Sequence, residues 1–521
     1  MTLSRHPEPG AREASVEGSK VRKWAKVIDN TRCIGCHACT VACKSENDVP
    51  LSVTRTYVKY VDHGVYPNAR RAFQVTRCNM CDDAPCVVAC PTSAMFRRPD
   101  GIVDFDKAAC IGCKACIAAC PYDAIFINPE DHSAEKCNFC AHRLDVGLEP
   151  ACVVVCPTQA ILVGDVADPA SLVAQLIGRE SVSVRRPEKE TRPKLFYRGG
   201  HYATLDPLAA RRPEGGLFMW SEQGAAKNQV ISGHPGPWNS SASAVLAYDV
   251  PQHRQPWDWR VSAYTWTKSI AAGAYLVAAI LALGGLLPWS GALWRWAAPI
   301  VAIVFLALTG ALLLADLEHP ARFHFIFTRP QWRSWLVRGA VVITAYGAIL
   351  VAHLGASLAS IDAAPQWLTL GGIPMAVMTA VYTAYLFAQA KARDLWQSAL
   401  LPTHLLVQAA LGGAAALDVV VRALDLQPLN VLSWVVAAAC AGHLILGIGE
   451  TTITHVTAHA RLANREMISG RYRGFFWAGV LLIAVGLLAP WLGVASSVAA
   501  LGGLLAYEHA FVQAAQSVPL A

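Results

Sequence analysis

Residues 33–43, CIGCHACTVAC, and residues 110–120, CIGCKACIAAC, repeat a single cysteine spacing, C-x-x-C-x-x-C-x-x-x-C. Sixteen of the seventeen cysteines lie in the stretch from Cys33 to Cys156. They form four groups: Cys33, Cys36, Cys39 and Cys43; Cys78, Cys81, Cys86 and Cys90; Cys110, Cys113, Cys116 and Cys120; and Cys137, Cys140, Cys152 and Cys156. Four thiolates at this spacing hold a cubane iron–sulfur cluster, so the sequence predicts four [4Fe–4S] clusters and a protein that carries electrons.

Two other uses of these cysteines fit the pattern less well. Zinc sites combine C-x-x-C pairs that are a dozen or more residues apart. The gap between Cys140 and Cys152 leaves that alternative open for the fourth group. A disulfide framework is typical of small secreted domains with scattered cysteines. Three groups end in Cys-Pro, which is the ending found in ferredoxins.

The second half of the sequence is predicted to lie in a membrane. Apolar residues make up 54% of the 521 residues and charged residues 16%, and from about Thr265 onward Ala, Leu, Val, Gly and Trp dominate. A helix needs about 20 apolar residues to cross the hydrocarbon, and Trp or Tyr near its ends is typical of the interface. Eight segments meet this description: residues 268–288, 294–316, 337–358, 371–390, 399–421, 430–449, 474–493 and 495–514. The alternative is a large buried helical core.

These patterns predict an α+β domain of two bis-[4Fe–4S] ferredoxin modules, followed by an all-α bundle of eight transmembrane helices. The second and third cysteine groups are nested inside the first and fourth, which indicates an internal duplication. The predicted domains are a polar tail over residues 1–24, the ferredoxin-like domain over 25–180, an extended irregular arm over 181–262 and the bundle over 263–521. No basic stretch is interleaved with aromatic residues, so nucleic acid is not an expected partner.

Shorter elements are predicted inside these domains. Residues 101–105 (GIVDF), 124–127 (AIFI) and 160–163 (AILV) predict short strands near the cluster loops. Residues 168–178, DPASLVAQLIG, predict a short helix. The arm ends in residues 251–266, PQHRQPWDWRVSAYTW, which either dock the ferredoxin domain on the bundle or act as a loose linker.

Loop charges predict which side of the membrane the clusters face. Eight spans put both ends of the bundle on the side of the ferredoxin domain. The loops on that side carry the basic residues Arg322, Arg329, Arg333, Arg338, Lys391, Arg393, Arg461, Arg465, Arg471 and Arg473. The opposite loops offer Arg295 and Arg422. By the positive-inside rule, and because no apolar signal or twin-arginine pair precedes the clusters, we expect a multi-pass inner-membrane protein whose ferredoxin domain faces the cytoplasm.

Two known families share motifs with this sequence. The first half resembles the four-cluster subunit of molybdopterin oxidoreductases of the dimethyl-sulfoxide-reductase superfamily, through RCNMCDDAPCVVACPTSAMF (77–96), ACIGCKACIAACPYDAIFI (109–127) and KCNFCAHRLDVGLEPACVVVCPTQAI (136–161). The second half resembles the polysulfide-reductase, NrfD-like membrane subunit, through TWTKSIAAGAYL (265–276), LLLADLEHPARF (312–323), RSWLVRGA (333–340), VYTAYLFAQAKARDLW (381–396) and EHAFVQAAQSVPL (508–520). Because these subunits are usually separate polypeptides, the resemblance implies a natural fusion.

The resemblance also implies how the cysteines are shared among the clusters. In order from the molybdenum subunit to the membrane, the four implied sets are Cys33, Cys36, Cys39 and Cys156; Cys137, Cys140, Cys152 and Cys43; Cys78, Cys81, Cys86 and Cys120; and Cys110, Cys113, Cys116 and Cys90. Every position is a cysteine, so we expect four cubanes and no [3Fe–4S] cluster. The implied partners are a molybdopterin-containing catalytic subunit, the lipid bilayer and the membrane quinone, either ubiquinone or menaquinone.

Five polar residues are candidates for the quinone site, because polar groups in or beside apolar spans are costly and often functional. Lys268 is expected to start the first span, Asp316, Glu318 and His319 end the second, and Tyr382 lies in the fourth. The resemblance implies that quinone exchanges electrons near the last cluster, where these residues would hydrogen-bond a quinone carbonyl and supply protons. The alternative is that they are snorkelling or helix-capping groups.

Other polar residues in the apolar half leave several alternatives open. Paired histidines can bind haem, but the family has none and no haem is expected. The histidines concerned are His353, His404, His443, His455 and His459. Asp418, Glu450 and Glu508 belong either to a proton route or to local ion pairs such as one with Arg422. Cys440 is expected to be a small packing residue.

The expected function is that of an electron-transfer and membrane-anchor subunit that links a molybdenum or tungsten catalytic subunit to quinone, with the substrate chemistry on the other polypeptide. Cytoplasmic orientation favours formate or sulfite oxidation. The alternatives are a quinol-driven reductase of polysulfide or tetrathionate, a proton-translocating anchor module, and a binding or assembly protein with structural clusters.

Overall fold

The computed structural model describes residues 21–64, 67–211, 244–250, 255–361, 363–426 and 429–520. The predicted tail over residues 1–24 therefore lies mostly outside the described residues. The same holds for residues 212–243 and 251–254 of the predicted arm.

Short strands build the N-terminal half. They are β1 Trp24–Asp29, β2 Thr56–His63, β3 Arg70–Arg77, β4 Met95–Arg97, β5 Val103–Phe105, β6 Ile125–Ile127, β7 Ala134–Lys136, β8 Ile161–Asp165, β9 Val182–Ser183, β10 Leu195–Arg198 and β11 Val245–Tyr248. One sheet has the order β8-β1-β10-β9, with β1 and β10 parallel and the other pairs antiparallel. A second sheet has the order β11-β2-β3, and β4-β5 and β6-β7 are separate hairpins.

Short helices carry many of the cysteines. They are α1 Ala38–Glu46, α2 Pro85–Ala89, α3 Ala115–Ala119, α4 Ala141–Leu144, α5 Ala151–Val154, α6 Leu172–Arg179 and α7 Tyr202–Leu205. The loops before α1 and α3 have the same left-handed residues: φ is +71° at Gly35 and +60° at His37, and +69° at Gly112 and +61° at Lys114. This shared backbone shows that the repeated C-I-G-C-x-A-C motif is also a repeated structure.

The predicted short elements are found near their expected places. The strands expected over 101–105, 124–127 and 160–163 are observed as β5, β6 and β8, and the helix expected over 168–178 is α6. The arm is less irregular than expected, because β10 pairs with β1 and β11 pairs with β2. Sequence patterns missed these strands since each is only four residues long and has no clear alternation.

Helices form the C-terminal half, and most of them are long. They are α8 Trp259–Leu283, α9 Ala298–Ala315 (preceded by a π-helical turn, Leu293–Ala297), α10 Phe325–Thr328, α11 Trp335–Leu358, α12 Ala364–Gln389, α13 Leu401–Ala423, α14 Leu429–Thr452, α15 Ala458–Ile468, α16 Arg473–Gly486, α17 Ala489–Leu492 and α18 Val494–Gln516. The protein is thus an α+β domain joined to an apolar helical domain, as predicted.

Among the described residues, six helices are long and apolar enough to cross a membrane, ending with Asn430–Thr452. The predicted count of eight is therefore confirmed for six helices. The two remaining segments form α16, which has only 14 residues, and α18, whose second half carries Glu508 and other polar residues. We also find that Lys268 does not start the first span. Helix α8 begins at Trp259, where Asp258 caps it, and most residues from Val261 to Thr267 are buried although several are polar, so Lys268 is an internal residue.

Two glycines allow α8 and α13 to cross in close contact. A Cβ atom on Gly273 would lie 1.7 Å from the carbonyl oxygen of Ala409, and one on Gly413 would lie 2.0 Å from the carbonyl carbon of Gly273. Close backbone approach of this kind is a common way to pack helices in membranes. It brings α8, which carries Lys268, against the second half of the bundle.

Candidate functional site

A cavity lies between Cys90 and the third cysteine group. Cys90, Cys110, Cys113 and Cys116 line a cavity with about 370 Å³ of empty space. Cys90 directly follows α2, while the other three thiols come from the loop before α3 and from its first turn. Met95 donates its backbone N–H to Cys90 Sγ at 3.3 Å. This is the set that the resemblance implied for the cluster nearest the membrane.

The other three sets also come together. Cys33, Cys36, Cys39 and Cys156 line a cavity with about 330 Å³ of empty space. Burial raises the pKa of Cys43, and the nearby Cys137, Cys152 and Cys140 thiolates raise it further. Burial likewise raises the pKa of Cys81, with additional contributions from Cys78, Cys86 and Cys120. Each group of four offers thiolates only, which is the donor set of an iron–sulfur cluster.

Two buried cations beside the fourth cysteine group were missed from the sequence. Arg77 donates from Nη1 to Cys152 Sγ at 3.0 Å, and the Lys26 ammonium lies 3.8 Å from the same sulfur. Burial raises the pKa of Cys152, but these two cations outweigh it and lower the pKa to about 7. In the sequence both resemble ordinary polar strand residues. Only their position in strands next to the cysteines could have indicated that they stabilise the Cys152 thiolate.

The third cysteine group contacts the helical domain through Lys114, which stands between Cys113 and Cys116. Lys114 Nζ donates to the backbone oxygen of Asp316 at 2.9 Å, and lies 3.4 Å from Asp316 Oδ1 and 3.1 Å from Glu318 Oε1. The loop also approaches closely, because a Cβ atom on Gly112 would lie 2.4 Å from Glu318 Cβ. Burial raises the pKa of Asp316 to about 6, although Lys114 opposes this effect.

Backbone carbonyls of both inner cysteine groups are held by the helical domain. Arg322 donates from one nitrogen to the carbonyls of Lys107 and Cys110, both at 2.9 Å. Ser334 donates to the Ala89 carbonyl at 2.9 Å, and the Trp257 indole donates to the Cys113 carbonyl at 3.1 Å. The last of these contacts comes from the end of the arm, so the described part of residues 251–266 does dock on the ferredoxin domain.

The five candidate quinone residues fall into two neighbouring places. Lys268 and Tyr382 lie inside the bundle: Lys268 Nζ donates to the Ala380 carbonyl at 2.7 Å and to Thr383 at 3.0 Å, and lies 5.4 Å from the centre of the Tyr382 ring. Asp316 and Glu318 lie at the ferredoxin interface. His319 joins them there through its backbone N–H, which donates to the carbonyl of Ile111 at 3.2 Å.

Tyr264 connects the two places, and sequence reasoning did not identify it. Its phenol is buried beside Thr383, which also accepts from Lys268, and it interacts electrostatically with Tyr382, Glu508 and Asp316. Tyr264 was not considered as a candidate from the sequence because the first span was expected to start only at residue 268.

Several of the other polar residues of the apolar half have described partners. The rings of His404 and His443 are directly hydrogen-bonded at 3.0 Å, a separation too short for a metal ion between them. His353 hydrogen-bonds the Trp294 carbonyl at 3.1 Å. Asp418 pairs with Arg422 and accepts hydrogen bonds from Ser433 and Ser497. Cys440 packs closely against Gly486, as expected of a small packing residue.

Comparison with known families gives two matches along the sequence. Residues 70–166 match the family model described as a 4Fe-4S dicluster domain. Residues 249–511 match the family model described as polysulphide reductase, NrfD. The second match covers half of the protein.

Curated relatives match a third or more of the protein's length. A tetrathionate reductase subunit of Salmonella typhimurium is 43% identical over 210 residues, which are 40% of this protein and 83% of the relative. A polysulfide reductase subunit of Wolinella succinogenes is 41% identical over 34% of this protein and 93% of its own length. The thiosulfate reductase electron transfer subunit of Salmonella typhi is 45% identical over 34% of this protein and 92% of its own length. With the cysteine-lined cavities docked on an apolar helical domain, these matches show that the protein belongs to the polysulphide reductase NrfD family and joins its membrane domain to a 4Fe–4S dicluster domain.

Proposed function

We propose that this protein takes electrons from membrane quinol and passes them, through four [4Fe–4S] clusters, to a molybdopterin-containing catalytic subunit that reduces a sulfur compound such as tetrathionate or polysulfide. The observation that carries this proposal is the position of Lys114. This residue belongs to the loop of Cys113 and Cys116, yet it binds Asp316 and Glu318 of the membrane domain. At this contact a cysteine loop that would carry electrons meets carboxylates that can accept protons.

The direction follows from the relatives. Their names describe tetrathionate, polysulfide and thiosulfate reductases. They favour sulfur-compound reduction over formate or sulfite oxidation, which the loop charges alone led us to expect. The chemistry of the sulfur substrate takes place on the other polypeptide, and this protein supplies the electrons.

The proposed electron path uses the four cysteine sets. The set of Cys90, Cys110, Cys113 and Cys116 receives electrons first, because its loop contacts the membrane domain. The set of Cys33, Cys36, Cys39 and Cys156 delivers them last. When bound, the clusters accept and donate single electrons, and the protein holds them in order and away from water.

The proposed quinol site lies between the two places that hold the polar candidates. Lys268 and Tyr382 border it from the bundle, and Asp316, Glu318 and His319 from the interface. Oxidation of one quinol releases two electrons and two protons. The electrons go to the clusters, and buried side chains such as Asp316 accept the protons.

The proposed face for the catalytic subunit surrounds the first cysteine set. Cys36 is exposed there, and Ile34, Val41 and Val154 beside it are 57%, 65% and 59% exposed. Helices α1 and α5, which carry Val41 and Val154, pack against each other. Exposed apolar side chains next to a redox centre suit a protein partner better than water. The basic loops support a cytoplasmic location for this face and an inner-membrane location for the bundle.

The test is to purify the complex from membranes and follow the clusters by electron paramagnetic resonance. We expect a molybdenum- or tungsten-bearing partner, and clusters that quinol reduces and that tetrathionate or polysulfide reoxidises. Formate and sulfite serve as controls and should leave the oxidised clusters unchanged. Clusters that quinol cannot reduce, or that formate reduces, would contradict the proposal.

A further inference from the structure

A hydrogen-bonded series of ionisable side chains lies in the second half of the bundle, away from the candidate quinone residues. His404 of α13 bonds through Nδ1 to Glu450 Oε2 at 2.8 Å and through Nε2 to His443 Nδ1 at 3.0 Å. Ser398 donates to the other oxygen of Glu450 at 3.2 Å. Ionisable groups are costly inside an apolar bundle, so three in contact require an explanation beyond packing.

The outer end of this series reaches an open cavity. Glu450 lines a space of about 1010 Å³, which includes open solvent and is also bordered by Lys189 and Asp394 on the ferredoxin side. Val456, on the wall of the same cavity, is 94% exposed. The side chain of Glu450 is 11% exposed, whereas that of His404 is 1% exposed. The series therefore runs from the wall of an open cavity into the closed interior.

The inner end reaches a second, smaller cavity. It has about 290 Å³ of empty space and is lined by His404, Gln408, Tyr507 and Glu508. Glu508 is 3% exposed and has Thr265 beside its carboxylate, and Gln408 Oε1 has no hydrogen-bond partner among the described residues. Buried polar atoms in this situation are normally satisfied by ordered water. Glu508 also interacts electrostatically with Lys268.

We propose that Glu508, His404 and Glu450 form a proton route from the Lys268 end of the quinol site to the open cavity beside the ferredoxin domain. The proposal rests on the proposed function, because it supplies an exit for one of the two protons of the quinol. His404 belongs both to the inner cavity and to the hydrogen-bonded series, so it joins the two. His443 Nδ1 is hydrogen-bonded to the remaining ring nitrogen of His404, so the two rings act in the route as one imidazole pair.

The proton and electron balance is simple. One quinol becomes one quinone, two protons and two electrons, and the electrons pass singly to the cluster set beside Lys114. Glu508 accepts a proton at its carboxylate, and water in the inner cavity passes it to the hydrogen-bonded imidazole pair of His443 and His404. His404 then releases a proton to Glu450, which loses it to water in the outer cavity. Each group then returns to its starting state, and the second proton of the quinol goes to Asp316.

The test measures quinol-driven cluster reduction by stopped-flow absorbance, using the purified full-length complex. Glu450→Gln keeps the shape and hydrogen-bonding capacity of the side chain and removes its ability to carry a proton. We expect this variant and His404→Gln to slow cluster reduction about tenfold or more, near the lower range for loss of acid–base catalysis. Glu450→Asp should restore most of the rate. Electron delivery from a reduced viologen dye, which bypasses quinol, should be unchanged in all three variants.

His353→Gln is the matched control, because His353 is an equally buried histidine that hydrogen-bonds one backbone carbonyl elsewhere in the bundle. We expect its rate to stay within about twofold of the wild type. A larger solvent deuterium isotope effect in Glu450→Gln than in the wild type would support the route. Rates within twofold of wild type in both Glu450→Gln and His404→Gln would overturn it. If quinol fails to reduce the clusters of the wild-type complex, the proposed function itself fails.

Discussion

At the scale of single residues, charge beside a cluster-binding cysteine is set by side chains distant in sequence. Arg77 and Lys26 lie in different strands, and both approach Cys152. Cations next to a ligating sulfur favour the more negative, reduced cluster. Both cations are almost completely buried, so solvent screens them little.

We therefore expect Arg77→Met to lower the reduction potential of the cluster held by Cys43, Cys137, Cys140 and Cys152. A hydrogen bond to a charged group contributes about 1.5–3 kcal/mol, which corresponds to about 60–130 mV for a one-electron couple. A redox titration followed by electron paramagnetic resonance measures the shift. Arg77→Lys, which keeps the charge, should shift the potential less. Equal shifts in the two variants would show that packing, not charge, sets the potential.

Asp316 gives the quinol reaction a predictable pH dependence. Its raised pKa of about 6 means that the carboxyl is protonated below pH 6 and ionised above it. Only the ionised form accepts a proton from quinol, so quinol-driven cluster reduction should rise as the pH increases from about 5 to 7, with a midpoint near the pKa of about 6. Asp316→Asn should lose this rise and react about a hundredfold more slowly.

Glu318→Gln is the control for that experiment, since Glu318 also contacts Lys114. It should retain the midpoint near pH 6 that the pKa of Asp316 sets. A wild-type rate that does not change across this pH range would remove Asp316 from the proton-accepting role.

At the scale of elements, the crossing of α8 and α13 depends on Gly273 and Gly413. The methyl group in Gly273→Ala would overlap the carbonyl of Ala409, so the helices must separate. We expect a loss of about 1–3 kcal/mol in stability, the usual range for overpacking, seen as a lower melting temperature in detergent. Gly310→Ala is the matched control: no atom lies within 4 Å of its Cβ position. There, removing a helical glycine should be neutral or stabilising by about 0.5–1 kcal/mol.

Elements also show what sequence patterns can and cannot predict. The cysteine spacing predicted the loops before α1 and α3, because ligand geometry constrains neighbouring residues in the sequence. Apolar length predicted eight spanning helices, and six of the described helices are long and apolar enough to cross a membrane. The start of α8 was predicted too late, since Tyr264 and its neighbours are partly polar yet buried inside the protein. Arg77, Lys26 and the partners of His404 depend on long-range contacts, which no local spacing records.

At the scale of the whole molecule, one polypeptide joins an electron-carrying domain to a membrane domain, and ion pairs connect the two. Lys114 and Asp316 hold one side of the contact, and Lys189 pairs with Asp394 on another. Both residues of the second pair are nearly buried, at 10% and 5% exposure. Removing one member of a buried pair leaves an uncompensated charge, which is strongly destabilising. These ion pairs join the two domains at two places, and the exposed end of the proposed electron path lies at Cys36.

Because the proposed quinol site and the proposed docking face lie at opposite ends of the electron path, quinol oxidation and sulfur-compound reduction can be tested separately. Val154→Asp places a charge on the exposed apolar face beside Cys156, where the catalytic subunit is proposed to dock. We expect the variant to lose the partner during size-exclusion chromatography and to lose sulfur-compound reduction, because burying an unpaired carboxylate in an interface costs several kcal/mol. Quinol should still reduce its clusters at the wild-type rate, because the quinol end is untouched.

Phe96→Asp is the control: Phe96 is 38% exposed on the hairpin beside the inner cysteine groups, and the partner should remain bound. Loss of the partner in Phe96→Asp but not in Val154→Asp would move the docking face to the opposite end of the electron path.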